Sequence, residues 1–256
     1  EILGSVPISI GLWVGGEVTP NKQSEGDRSA VKALRKLLNG EPENPFILLN
    51  CPWCGAQMGP VKSGRGTKTP GYKLKAAPQR VEFCCEDQHC DFSSDDGLPV
   101  HVIDEAIYQH RPTLIIGTVD KFALLPWYPE ARSLFGLDTA GIISPPDLII
   151  QDELHLIAGA LGSVVGHYEG TLDTLCTRQV DGKKIPAKII ASTATICRPQ
   201  EQVRALYARE VSLFPPQALR AGDSFFATEK TEVPGRLYVG VFASALSSHV
   251  TAQIQI

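Results

Sequence analysis

The chain has 256 residues, 43% of them hydrophobic and 20% charged, with a formal net charge of -4 at neutral pH. That is average soluble composition, with material for one large core or for one domain and a smaller module. No apolar run approaches the roughly 20 residues that cross a bilayer, and the mildly acidic balance excludes bulk electrostatic adhesion to nucleic acid, though not a grip through a few loop amides and hydroxyls.

The chain starts at Glu1, has Met58 as its sole methionine and ends in TAQIQI, so it reads as cut at both ends. With no charged-then-apolar signal peptide, the expected location is cytoplasmic, and the seven cysteines read as reduced thiols or metal ligands before disulfides.

The opening SVPISIGLWVGGEVTPN reads as a short strand that breaks at Gly15-Gly16 and runs into a Thr19-Pro20-Asn21 turn. A helix follows, with Asp27 as its cap, Val31, Leu34 and Leu38 on one face, and Asn39-Gly40 as its stop.

Residues 47–97 differ in kind. Four turn-type glycines fall between Gly55 and Gly66, prolines stand at 60, 70 and 78, and five of the seven cysteines lie here. Cys51-x2-Cys54, thirty residues, then Cys85-x4-Cys90 is zinc-ribbon spacing, because tetrahedral Zn²⁺ needs two chelating turns brought face to face. Cys84, Cys85 and His89 compete for the place beside Cys90. Alternation from Phe83 favours Cys85, and unliganded thiols are the plain alternative. Gly55 lets the first turn close, and Phe83 and Phe92 can pack around it. Within this module, KSGRGTKTPGYKLK (62–75) is basic with no acidic residue, and reads either as a loop for a nucleic-acid backbone or as a solvated hairpin. Cys176 and Cys197 are isolated in apolar surroundings and read as small core residues.

From His101 onward, helices alternate with aliphatic strands: PTLIIGTVDKF, PDLIIQDELHLI and PAKIIASTATI, each ending in polar residues. Such alternation predicts an α/β fold with a parallel sheet, whose ligands gather at the carboxyl ends of the strands. A helix from Pro199 leads into a Pro- and Phe-rich connector, and GRLYVGVFASAL reads as the first strand of something new. The expected division is 1–46 and 98–210 for the α/β domain, 47–97 for the inserted zinc module, 211–234 for the connector and 235–256 for the start of a second domain.

Two buried strands ending in Asp152-Glu153 and in Ser192-Thr193-Ala194-Thr195 deliver both polar clusters to one rim of a sheet. An aspartate there can hold Mg²⁺ through water, and the adjacent glutamate can orient a water toward a γ-phosphate. His155 follows on the next turn. Asp-Glu before an apolar helix is also ordinary cap chemistry, but three strand-end motifs in order are harder to assign to chance.

In that order the motifs resemble those of superfamily 2 helicases. Gly15-Gly16 is similar to the double-glycine motif, GTVDK (117–121) to motif Ib, DELH (152–155) to motif II with Leu154 where alanine is usual, and STAT (192–195) to motif III. The resemblance implies a RecA-like parallel sheet of the P-loop NTPase type. It implies Mg²⁺ on Asp152, water activation by Glu153, and coupling of nucleotide state to movement by His155, Ser192, Thr193, Ala194 and Thr195. It also implies nucleic-acid contacts from Gly15, Gly16, Gly117, Thr118, Asp120 and Lys121.

No G-x-x-x-x-G-K-S/T loop occurs, and GALGSVVG (159–166) lacks its lysine; those glycines are expected to let a helix pack closely. In the resembled family that loop precedes the double glycine and an arginine finger follows in a second RecA domain. By itself the chain is therefore expected not to hydrolyse ATP.

A zinc ribbon (Cys51, Cys54, Cys85, Cys90) between the double glycine and motif Ib makes the chain most similar to the helicases of DISARM-type bacterial antiphage systems. SIGLWVGGEVTPN, RPTLIIGTVDKFA, IIQDELHLIAGALGSVVGHYE and VPGRLYVGV support the same resemblance. It implies an ATP-dependent translocase acting on phage DNA with partner proteins. The alternative is a zinc-dependent nucleic-acid or protein binding module with a non-catalytic ATPase-like core. A metal hydrolase liganded by Asp152, Glu153 and His155 fits poorly, since one turn crowds all three.

Overall fold

The computed structural model describes residues 8–64, 66–93, 97–137, 143–194, 198–216 and 218–239. The chain divides into two units, Glu1–Arg209 and Glu210–Ile256. In the first, β1 (Ile10–Trp13) leads to α1 (Ala30–Leu38), and the cysteine-bearing stretch folds around two hairpins, β2 (Val61–Ser63) with β3 (Gly66–Lys68) and β4 (Tyr72–Ala76) with β5 (Gln79–Phe83). The chain returns through β6 (Val100–His101), α2 (Asp104–His110), β7 (Leu114–Gly117) and α3 (Val119–Ala123). Two 3-10 turns, Leu125–Trp127 and Pro129–Phe135, come before β8 (Leu148–Gln151). A third, Leu154–Leu156, comes before α4 (Gly159–Leu175), β9 (Arg178–Val180), β10 (Lys183–Ile185), β11 (Lys188–Ala191) and α5 (Pro199–Tyr207).

This is a mixed α/β architecture with parallel pairing at its centre. Strands β6, β1 and β7 form one parallel sheet in that order, with Ile10 opposite both Val100 and Leu114. Strands β8 and β11 form a second parallel pair, Leu148 opposite Lys188 through Gln151 opposite Ala191. Among the described residues no ladder joins β7 to β8, so the sheet expected from alternation occurs as two pieces. One face of the strands packs inward through Ile115 and Ile149. Leu114, Ile116, Leu148, Ile150 and Ile190 are all exposed, unusual for parallel strands, which are ordinarily covered on both faces.

Helix α1 forms where an apolar stripe at helical spacing meets a glycine stop. Ala30, Val31, Leu34 and Leu37 are buried and Gly40 takes a left-handed φ of 93°. Two details of the expectation are corrected. Leu37, not Leu38, completes the buried face, because residue 37 lies seven beyond Ala30 and Leu38 turns outward at 48% exposure. Ser29, not Asp27, is the cap residue, and the Asp27 carboxylate instead takes the Lys32 ammonium at 2.8 Å.

The cysteine module shares its core with this helix. Phe46, Met58, Tyr72, Val81 and Phe83 pack with Val31, Leu34 and Leu37 and with Val102 and Ile103 beyond the module. Phe46, Tyr72 and Phe83 meet edge to face at 5.2 to 5.5 Å. A second cluster joins Trp13, Ile107, Leu134, Phe135, Leu172, Cys176 and Ala187. Cys176 is thus the core residue expected, while Cys197 lies outside the described residues.

The close packing expected of the α4 glycines is not required at Gly166, where a Cβ would lie 4.0 Å from Leu206, an ordinary van der Waals contact. The β9–β10 hairpin turns on Asp181-Gly182, both at positive φ (49° and 75°), the pairing that matches strand twist. In the second unit, Phe214, Phe225 and Phe226 cluster edge to face at 5.1 to 5.9 Å. Most of the strand expected from GRLYVGVFASAL, together with the rest of 240–256, lies outside the described residues. No helix of the described residues is long and apolar enough to cross a membrane.

Candidate functional site

The parallel register of β8 and β11 brings two strand ends to one rim. The ladder ends with Gln151 opposite Ala191, and the backbone continues it, as Ser192 N donates to Gln151 O at 2.9 Å and Leu154 N to Ser192 O at 3.0 Å. Side chains then follow. The Ser192 hydroxyl donates to Asp152 Oδ1, which also accepts the Glu153 N–H at 2.9 Å. These two donors, Ser192 first, hold the Asp152 carboxyl below the usual carboxylate range.

His155 sits between both segments. Its Nδ1 is 3.2 Å from Glu153 Oε2, 3.4 Å from the Thr193 hydroxyl and 3.4 Å from the Ala194 N–H. Asp152, Glu153, Ser192, Thr193 and Ala194 are exposed and His155 is half-buried, so the rim is open to a ligand. Thr195 lies outside the described residues. Glu153 takes a left-handed φ of 52°, a conformation that non-glycine residues rarely adopt and that clusters at functional sites.

Gln202, which no local motif marks, fastens this turn from α5. Its side-chain amide donates to Leu154 O at 3.2 Å and Ile157 O at 2.8 Å. A glutamine on the polar side of a predicted helix carries no signal of such a task.

A second rim lies at the carboxyl ends of β1 and β7. Thr118 N donates to Trp13 O at 3.3 Å, and a Cβ on Gly117 would come within 3.2 Å of the same oxygen. A Cβ on Gly16 would meet the Asn21 side chain at 3.0 Å. Both glycines therefore serve close approach. Gly16, Gly117, Thr118 and Asp120 are exposed and Gly15 is half-buried. Lys121 differs from the expectation of a backbone-contacting cation. It is 3% exposed, and its ammonium pairs with Asp104 at 2.5 Å, because α3 turns that side chain inward beneath the loop.

The third cluster is the cysteine site. Cys51, Cys54, Cys85 and Cys90 place their sulfurs within 4.8 Å of one another, with Cys51 to Cys90 at 4.0 Å and Cys54 to Cys85 at 3.5 Å. Four thiolates around a tetrahedral Zn²⁺ at about 2.3 Å stand about 3.8 Å apart, a spacing that the set approaches, so these four could hold the ion. Gly55, at φ 79°, closes the first turn, where Gly55 N donates to Cys51 O at 2.9 Å and Cys51 N to Ala56 O at 2.7 Å. In the second turn Cys85 N donates to Phe92 O at 3.0 Å. Of the three candidates beside Cys90, Cys85 is the one in the cluster, whereas Cys84 is buried but outside it and His89 is exposed. Trp53 covers the turns edge-on to Phe92 at 5.5 Å, its indole N–H donating to Asp91 at 3.2 Å.

In the basic stretch, Lys62 and Lys68 project from the β2–β3 hairpin, Lys75 pairs with Glu82 at 3.6 Å, and Arg65 lies outside the described residues. The described strand residues of the stretch belong to the β2–β3 strand pair and to β4.

No protein-family model matches the chain. Among curated proteins it is similar to "DISARM protein DrmA" of Bacillus paralicheniformis (strain ATCC 9945a / NCIMB 11709 / CD-2), with 35% identity over 276 aligned residues. The match covers 95% of this chain and 24% of that protein, so the chain spans about a quarter of the length of the curated relative it matches. Over nearly all its length, then, the chain is homologous to one portion of a DISARM protein.

Proposed function

We propose that this chain is part of an ATP-dependent DNA helicase or translocase, built on a RecA-like core and working in antiphage defence with other proteins of the same system. The observation that carries the reading is the junction of two strand ends, with Ser192 bonded to Asp152 and Thr193 and Ala194 beside His155. Similarity to a DISARM protein supports the biological setting.

In this reading MgATP is the substrate of the full-length protein. Asp152, anionic and exposed, would hold Mg²⁺, which supplies charge neutralisation on the phosphates. Glu153 orients a water and takes its proton as the water oxygen attacks the γ-phosphorus in line. The bond from phosphorus to the bridging oxygen breaks, leaving ADP and phosphate. His155 touches both Glu153 and the 192–194 segment, so loss of the γ-phosphate reaches β11 through it. The exposed Gly16, Thr118 and Asp120, with Gly15 beside them, form the nucleic-acid rim. Cys51, Cys54, Cys85 and Cys90 would hold Zn²⁺, which would cross-link the two halves of the module that shares a core with α1.

Glu153→Gln in the full-length protein tests the chemistry. It keeps the shape and removes the proton acceptor, so DNA-stimulated ATP turnover should fall at least about 100-fold with nucleotide binding retained. Unchanged turnover would sink the assignment.

A further inference from the structure

Lys121 and Asp104 form a buried charge pair away from the carboxylate rim. The ammonium is 2.5 Å from Asp104 Oδ2, both residues are 3% exposed, and Nζ stands 6.0 Å from the centre of the Trp13 ring. Asp104 Oδ1 is buried with no hydrogen-bond partner among the described residues. A buried pair loses hydration on both ions, and an apolar pair of similar volume is often as stable, so stability alone does not explain it. What it offers is direction.

The surroundings indicate what is directed. Asp104 begins α2, whose first turn grips the segment after the double glycine: Asp104 N donates to Pro20 O at 3.4 Å, Glu105 N to Asn21 O at 3.0 Å, and Gln23 N to Glu105 Oε2 at 2.7 Å. Lys121 belongs to α3, capped by Thr118, whose N–H donates to Trp13 O. Trp13 closes the group, its indole N–H donating to Tyr108 Oη at 3.1 Å and its ring edge-on to Phe122 at 5.3 Å. The loop after β1 is held by the backbone N–H groups of Asp104 and Glu105 and by the Glu105 carboxylate, and the turn after β7 by the Asp104 carboxylate, so both meet on the first turn of α2.

We propose that Asp104 and Lys121 are positioning residues that hold the 15–23 loop and the 117–121 turn in one geometry, so that Gly15, Gly16 and Thr118 face one stretch of nucleic-acid backbone together. This rests on the nucleic-acid reading above. Lys121 neutralises Asp104 and contacts no phosphate.

The test uses the full-length protein, a fluorescein-labelled single-stranded oligonucleotide and two variants. Asp104→Asn keeps the shape of the carboxylate, and Asp104→Asn with Lys121→Met removes both charges and serves if the single variant does not fold. Positioning predicts affinity about ten-fold weaker with an unchanged slope of log affinity against log salt, since no phosphate contact is lost. It also predicts faster hydrogen exchange in peptides covering 15–23 and 117–121 together, without any oligonucleotide. A slope reduced by roughly 0.7 to 0.9 would make Lys121 a direct phosphate ligand and overturn the proposal. Wild-type affinity and exchange in both variants, or loosening of one segment alone, would overturn it too. Failure of the wild-type protein to bind the oligonucleotide would instead remove the nucleic-acid reading, leaving exchange to decide the positioning.

Discussion

The Ser192 hydroxyl donates to the Asp152 carboxylate across the parallel pair of strands that ends in both residues. This bond fixes the carboxylate that the proposed reaction assigns to the metal and gives the 192–194 segment a direct hold on it. A hydrogen bond to an ionised carboxylate is shorter and more directional than one between neutral groups, so it sets the orientation of the oxygens that would face the metal. Ser192→Ala should therefore cost about 10-fold or more in DNA-stimulated ATP turnover of the full-length protein. Melting temperature should hardly move, because Ser192 is exposed. Turnover within two-fold of wild type would show that the bond does not serve chemistry.

The cysteine site makes a prediction in which neighbours behave oppositely. Cys84 and Cys85 are both buried, but only Cys85 joins the four converging sulfurs. Purified protein should carry about one Zn²⁺ per chain by elemental analysis. Cys84→Ser should retain it, whereas Cys85→Ser should lose most of it. Since the module's core is continuous with α1, metal removal by a chelator should also lower the melting temperature of the unit. Equal metal content in both serine variants would reject the assigned ligand.

Much of this arrangement is legible in the amino-acid sequence. Strand-end motifs are readable because aliphatic runs followed by polar residues report burial and its end, so Asp152, Glu153, Ser192 and Thr193 could be placed on a shared rim. The cysteine spacing carried geometry in itself, and alternation from Phe83 picked Cys85 over Cys84. Lys121 illustrates the opposite case. A lysine at a loop end looks solvated, and only the tertiary approach of α2 reveals that Asp104 draws it inside. Gln202 was invisible for a similar reason: its partners are backbone carbonyls 45 and 48 residues away, which no periodicity encodes. The break between β7 and β8 also has no local signature, since aliphatic runs specify strands but not which edges meet.

The face of α1 offers a stability test. Leu37 is 0% exposed in the core shared with the cysteine module, and Leu38 is 48% exposed. Leu37→Ala should cost about 2 to 5 kcal/mol, the lost transfer of a leucine side chain plus the cavity it leaves. Leu38→Ala should stay within about 0.5 kcal/mol. Urea unfolding of the metal-loaded protein distinguishes them. The reverse ranking would restore a face running through Leu38.

Glu169 gives a pH-dependent test. It is 7% exposed on the inner side of α4. Burial, with repulsion from Asp173 one turn away, pushes its carboxyl from an ordinary value near 4.5 up to about 6. The folded protein thus binds this proton more tightly than the unfolded chain. Its contribution to stability is complete below about pH 4.5 and is lost as pH rises through about 6, where folding must bury the charge. A shift of that size corresponds to about 2 kcal/mol. Glu169→Gln carries no charge at any pH, so it should stabilise the protein by up to about that amount at pH 8, with the gain shrinking to nothing near pH 4.5. Paired melts of variant and wild type across this range provide the check. A gain that is the same at pH 4.5 and pH 8 would mean that packing, not the buried charge, separates the two proteins.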